Sequence, residues 1–136
     1  MMNKLLLKIV SPDGEIFSGE AKSILVTTTE GEVQIFAGHA DLFAPLATGR
    51  AKLTLEDGSS RTAAVSGGFI IVSSEETKVV TTTFEFSDEI DLNRANLAKQ
   101  KAEEAIKNAK EAKEIEIAKA KLLRAISRIN VASGNV

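Results

Sequence analysis

The chain of 136 residues has no cysteine, tryptophan or tyrosine, only one histidine and only two prolines. Without cysteine it can form neither disulfides nor thiolate metal sites. The single imidazole, His39, has no second His or Cys to converge with it on a metal, so its expected role is structural. Long apolar runs are also missing. The stretch Leu5–Val10 is broken by Lys8 and is too short for a signal peptide's apolar region plus cleavage site. Nothing approaches the ~20 apolar residues of a membrane span. A soluble, cytoplasmic chain without direct membrane insertion is expected. Glycine is frequent up to Gly68 and then absent until Gly134.

The last absence divides the sequence in two. Before Ile90, Thr and Val dominate and turn residues recur at short intervals. Strands are expected at Leu5–Val10, Glu15–Gly19, Ser23–Thr28, Glu32–Phe36, Leu42–Leu46, Arg50–Leu55, Arg61–Val65, Phe69–Val72 and Lys78–Thr83. With no helical pattern between them, they predict an antiparallel β-sandwich with a barrel-like closure. After Ile90, Ala, Lys and Glu take over, and Asp91 is placed to cap the first helical turn. Ala95, Ala98, Ala102, Ala105, Ala109 and Ala112 are spaced 3-4-3-4-3, and so are Ile115, Ala118, Leu122, Ala125, Ile129 and Ala132. The phase slip between these seams, near Lys110–Glu114, predicts two helices in an antiparallel hairpin. The fold class is therefore α+β, with the sandwich at 1–88 and the helical hairpin at 89–136.

The joint Asn108–Glu114 consists mostly of good helix formers, so a single continuous helix is chemically open to it. Such a helix over residues 91–132 would span roughly 63 Å at ~1.5 Å per residue. The formal net charge of −2 hides an asymmetry that bears on partners. Residues 1–90 carry seven Lys/Arg against thirteen Asp/Glu, and residues 91–136 carry ten against six. A basic appendage suits nucleic acid or an acidic protein surface. With no Tyr or Trp, and no Phe after Phe86, there is nothing on which bases could stack, so a protein partner is expected and nucleic acid is not.

Val10-Ser11-Pro12-Asp13-Gly14, Thr29-Glu30-Gly31-Glu32, Gly38-His39-Ala40, Val65-Ser66-Gly67-Gly68-Phe69, Ile90-Asp91-Leu92-Asn93-Arg94-Ala95 and Arg124–Ala132 follow one another in a specific order. In that order and spacing, over nearly its whole length, the chain resembles the epsilon subunit of bacterial F-type ATP synthases. The resemblance implies a non-catalytic central-stalk subunit on the cytoplasmic face of the cell membrane. Its sandwich would sit against the gamma subunit and the c-ring. Its helices would either fold onto the sandwich or extend along gamma toward the catalytic alpha and beta subunits and restrain ATP hydrolysis.

No cofactor is implied as required, with ATP as a regulatory ligand of the folded hairpin in some members. By the same resemblance Glu85, Ile90, Asp91, Arg94, Ala95, Lys101, Arg124 and Arg128 fall on nucleotide-binding positions. Lys101 stands where ATP-binding members often have Arg, which keeps the charge and loses the planar fork. Gly38 and His39, together with Lys113, Lys119, Lys121, Arg124 and Arg128, fall on partner-binding positions. One departure concerns Gln34–Leu42, where the family's two loop prolines are replaced by Ala37 and Asp41, so a less rigid loop is expected.

Each motif also has a plainer reading. Asp91 and Arg94 serve equally as a helix cap and a solvated cation. Ser66-Gly67-Gly68 is not followed by the Gly-Lys-Ser/Thr of a phosphate loop and reads as a bulge or a close backbone approach. Without the resemblance, the chain is a β-sandwich binding module that self-associates through an Ala-rich coiled coil.

Overall fold

The computed structural model describes residues 4–134, so Met1–Asn3 and the last two positions of the hairpin segment lie outside the described residues. Eight strands come first: β1 (Leu5–Ser11), β2 (Gly14–Ala21), β3 (Ser23–Thr28), β4 (Gly31–Phe36), β5 (Leu42–Pro45), β6 (Gly49–Thr54), β7 (Ser60–Val72) and β8 (Thr77–Phe86). A single 3₁₀ turn, Ser87–Glu89, leads to α1 (Leu92–Asn108) and α2 (Ala112–Ala132). The fold is an N-terminal β-sandwich followed by a hairpin of two helices.

Strand pairing runs β2-β1-β8-β7-β6-β3-β4, with β5 added alongside β7. All pairs are antiparallel except β1 with β8, which run parallel. Alternation places the core: Ile35 is fully buried while Gln34 and Phe36 on either side are exposed. Ile9, Ile24, Val26, Ile70 and Val79 join it from four other strands. The few buried hydroxyls have partners. Ser23 Oγ accepts from Gln34 Nε2 at 3.2 Å, and no buried side-chain polar atom among the described residues lacks a hydrogen bond.

One difference from the sequence reading organises the rest. Arg61–Val65 and Phe69–Val72 are not separate strands but two halves of β7, bent at Gly67-Gly68. The first half pairs with β6, from Gly49↔Val65 to Thr54↔Ser60. The second pairs with β5, from Leu42↔Val72 to Pro45↔Phe69. From Ala63↔Phe86 to Val72↔Thr77 the strand pairs with β8 in the same register on both sides of the bend. The inward-facing parity switches at the bend: Ala63 and Val65 face the core before it, and Ile70 and Val72 after it. On β8 the same switch separates Val79 from Phe84 and Phe86. Both glycines have left-handed backbone, φ +70° at Gly67 and +108° at Gly68. A Cβ at Gly68 would lie 1.9 Å from the Val80 carbonyl oxygen. The glycine pair therefore marks a close backbone approach at a strand bend, as its plainer reading has it.

Across β3, Arg50 of β6 grips Glu32 of β4, with Nε at 2.6 Å and a second guanidinium nitrogen at 3.1 Å. The hydrogen bond from that guanidinium holds the Glu32 carboxyl below its ordinary 4.5.

Two outcomes follow from this architecture. Gly68→Ala should cost about 3 kcal/mol or more in chemical denaturation, because strained backbone and a clash with backbone combine. At Gly58, in an open turn with φ +88° and nothing near its Cβ, the same change should cost about 1–2 kcal/mol. For the Glu32–Arg50 pair, a lowered folded-state value means stability that is present above pH 4.5 and lost as pH falls through the lower folded value. Since both side chains are partly exposed, Glu32→Gln should remove no more than about 1 kcal/mol at neutral pH and nothing in strong acid. Urea titrations at several pH values measure the difference.

Candidate functional site

The parity switch puts Ala64 and Ser66 of β7 on the outer face of the sandwich, beside Glu85 and Thr83 of β8, their cross-strand partners. α2 lies over this patch, and both Ala64 and Ser66 are buried. Small side chains let the helix approach closely. The Ser66 and Thr83 hydroxyls satisfy each other beneath it. Arg128 of α2 reaches Glu85, with Nε donating to Oε1 at 2.6 Å.

The hairpin is folded. α1 stops at Ala109 and α2 starts after Glu111, both with extended backbone (ψ 138° and 149°). On α2 the expected seam is inside, with Ala118 and Ala125 buried and Ile115, Leu122, Ile129 and Ala132 half-buried. On α1 it holds through Ala95, Ala98 and Ala102, but Ala105 and Ala112 are exposed. Ile106 is half-buried in place of Ala105. The reason is helical drift: the buried stripe of a straight helix advances by 3.6 rather than 3.5 residues per turn, so 102 is followed by 106. Ala112 is the first residue of α2, just past the turn.

Where the hairpin meets the sandwich, a cleft of about 380 Å³ is lined by Glu85, Glu89, Ile90, Asp91, Arg94, Ala95, Ala98 and Arg128. Six of the eight expected nucleotide positions line it: Glu85, Ile90, Asp91, Arg94, Ala95 and Arg128. Asp91 caps α1, its Oδ1 accepting from the Arg94 backbone N–H at 3.1 Å. Glu89 is turned back, its carboxylate accepting from the Phe86 N–H at 3.0 Å. Glu89 and Ala98 were not anticipated; their positions, one residue before Ile90 and one turn after Arg94, were the available signal.

The other two expected positions are elsewhere. Lys101 is exposed on α1, seven residues or roughly 10 Å beyond Arg94. Arg124 lines a narrow crevice on the far side of Arg128, with Thr48, Ala64, Val65, Ser66, Thr83 and Ser127. Arg128 borders both spaces.

The expected partner positions are scattered. Lys113, Lys119 and Lys121 stand exposed on α2, while Arg124 and Arg128 are turned onto the sandwich. Gly38 (φ +80°) and His39 lie at the end of the sandwich reached by Val72, six residues along β7 from the helix-covered patch. There they border an open cleft of about 400 Å³ with Leu6, Phe36, Glu75 and Glu76. His39 Nδ1 donates to the Ala40 carbonyl at 2.7 Å, so the ring is held by its own loop. Among the described residues no cluster of His, Cys, Asp and Glu is arranged to hold a metal.

The family model of the beta-sandwich domain of the ATP synthase delta/epsilon chain matches residues 4–87. That of the long alpha-helix domain of the same chain matches residues 88–133. The chain belongs to the ATP synthase delta/epsilon chain family. The ATP synthase epsilon chain of Bacillus pumilus is 37% identical over 131 residues, covering 96% of this chain and 98% of that one. The epsilon chain of Ruminococcus albus is 38% identical over 128 residues, 93% and 95% of the two chains. Among solved structures, a chain of the Euglena gracilis mitochondrial ATP synthase, from a cryo-EM structure of its OSCP/F1/c-ring, aligns with a TM-score of 0.83. It is 24% identical, and the match covers 93% of this chain and 80% of that one, a likeness of fold. No helix among the described residues of this family member is long and apolar enough to cross a membrane.

The capping role of Asp91 can be measured apart from any ligand. Asp91→Ala should destabilise the start of α1 by about 1 kcal/mol, and Asp91→Asn by less. Amide hydrogen exchange over Leu92–Ala95 reports the change, while the strands should keep their protection.

Proposed function

We propose that this chain is a non-catalytic rotor subunit of an F-type ATP synthase, working at the cytoplasmic face of the membrane as a peripheral part of the complex. Its sandwich, residues 1–88, binds gamma and, through the Gly38-His39 loop, the c-ring. Its hairpin, residues 89–136, restrains ATP hydrolysis when extended toward alpha and beta. ATP favours the folded form by binding in the cleft bordered by Asp91, Arg94 and Arg128. The observation that carries this reading is the full-length family match joined to a folded hairpin.

Two features support the regulatory part. The turn Ala109–Glu111 contains no Pro or Gly, and no non-Gly residue among the described ones has positive φ, so rotation within the ordinary φ/ψ regions, mainly in ψ, separates the turn from helix. A cleft of about 380 Å³ is within the range of small-molecule sites. Arg94 and Arg128 would neutralise phosphates, and the Glu85 carboxylate is suited to accept from the amino group of adenine. Self-association through the Ala seams is less favoured, because the hairpin already buries Ala95, Ala102, Ala118 and Ala125 inside itself.

Reconstitution into the F1 complex tests the whole reading. The full chain should be captured by gamma, and deleting residues 91–136 should raise the ATP hydrolysis rate while leaving capture intact. Calorimetry on the isolated chain should detect ATP binding, weakened at least tenfold by Arg94→Ala. A hydrolysis rate indifferent to the deletion would refute inhibition, failure to bind gamma would refute the stalk assignment, and no heat at millimolar ATP would refute nucleotide sensing.

A further inference from the structure

The buried apolar residues of the sandwich form one cluster that includes no residue of α1 or α2. α1 packs on α2, and α2 packs on β6, β7 and the 3₁₀ turn. What keeps the hairpin against the sandwich is therefore the underside of α2. Over β7 and β8 that surface is mostly small and polar: Ala64, the paired hydroxyls of Ser66 and Thr83, and the Glu85–Arg128 contact, with Val131 the one large apolar side chain of α2 that is buried. A groove on the other flank, between Leu123, Ile126 and Asn130 of α2 and Thr27, Thr48 and Arg50, is unfilled, so apolar packing does not close that side. The ion pair is the one charge-assisted bond from α1 or α2 to a strand among the described residues. Its side chains are 29% and 37% exposed, sheltered enough for the bond to outweigh ordinary surface pairing.

The surrounding charges constrain what a ligand could do. Three carboxylates border the cleft: Glu85, Glu89 and Asp91. Glu89 and Asp91 accept from backbone N–H groups, and Glu85 accepts from Arg128. Among the described residues Arg94 has no ion-pair partner, so it is the one cation of the cleft not already neutralised. A polyphosphate that takes Arg128 as its second guanidinium competes with Glu85 for that charge, and the two anions repel each other across it.

We propose that the Glu85–Arg128 pair is an internal latch that holds the hairpin on the sandwich in the absence of nucleotide, and that a nucleoside triphosphate replaces the Glu85 carboxylate on Arg128. The latch stands on the contact alone; the replacement rests on the nucleotide reading above. In the exchange Arg128 moves from an internal anion to an external one, and Glu85 is released to accept a hydrogen bond from the base. The hairpin then remains docked in both states, held first by the chain's own carboxylate and then by ligand bridging α1 and α2.

Because the chain has no cysteine, spin labels can be attached cleanly to the full-length protein at Glu56→Cys on the sandwich and Glu116→Cys on α2, both exposed positions. Without nucleotide, pulsed dipolar spectroscopy should give one narrow distance distribution. Glu85→Gln and Arg128→Gln should each raise the undocked population about three- to tenfold. The exchange Glu85→Arg with Arg128→Glu should bring the narrow distribution back. Unchanged distances in both single variants, or a double variant no better than either, would overturn the latch. With ATP, the wild-type chain should gain thermal stability and the exchanged variant should gain none. If ATP stabilises the wild type and Arg128→Gln equally, the replacement step is wrong while the latch is judged by its own arm. If ATP does not bind the wild type, the nucleotide reading itself fails.

Discussion

A helix can lie on this sandwich only because β7 turns its faces over at Gly67-Gly68. In the second half of the strand the even-numbered residues Ile70 and Val72 face inward. Continued backward without a switch, that phase would turn Ala64 and Ser66 into the core. The glycines absorb the change, and the close approach to Val80 leaves no room for a side chain at Gly68. The first half of β7 consequently presents Ala64 and Ser66 outward, beside Glu85 and Thr83. The floor under α2 and the carboxylate facing Arg128 are both products of that one bend. A change made at Gly68 would act on the hairpin's seat as well as on the sheet.

α2 makes two different interfaces along one helix. Ala118, Ala125 and Ala132 face α1 through an apolar seam, whereas Arg124, Ser127 and Arg128 face the sandwich through polar contacts. The two surfaces respond differently to conditions. The seam depends on removing apolar area from water and is indifferent to salt. The sandwich-facing side depends on a partly exposed ion pair and is weakened by ionic strength. Added salt therefore loosens the hairpin's seat on the sandwich more than it loosens the contact between the two helices.

Most of this was legible from the residues because the local signals agreed. Alternation in β4, the Asp57-Gly58 turn, the Asp91 cap and the slip between the two seams each identified their element. The split of β7 into two strands had a physical origin: the period-2 pattern breaks at Ser66-Gly67-Gly68, and a parity switch inside one strand looks, in sequence, like the end of one strand and the start of another. The parallel β1–β8 pairing could not be read, because strands some 70 residues apart carry no local mark of their partner. At the site, spacing around Asp91 found residues within one turn of each other. It could not find the reach of Arg128 to Glu85, which depends on how α2 is laid across β8, nor the separation of Arg124 from the cleft, which depends on the rotation of the same helix.

The composition of the seam decides which rearrangement this chain can undergo most easily. The sandwich core is built from Ile, Val and Leu side chains, each contributing about 1.5–3 kcal/mol when fully buried. The fully buried seam residues of the hairpin are Ala95, Ala102, Ala118 and Ala125, and each methyl contributes only about 0.8 kcal/mol. Half-buried Ile106, Ile115, Leu122 and Ile129 add area without being sealed from water. Opening the hairpin thus costs a small part of what unfolding the sandwich would cost, and most of what it exposes is a regular stripe on one face of α2. A partner helix presenting a matching stripe could cover Ile115, Leu122 and Ile129 more completely than α1 does, since α1 offers them mainly alanines. The thin seam keeps α1 and α2 together when nothing else is present, and it leaves the larger side chains of α2 with apolar area still to bury.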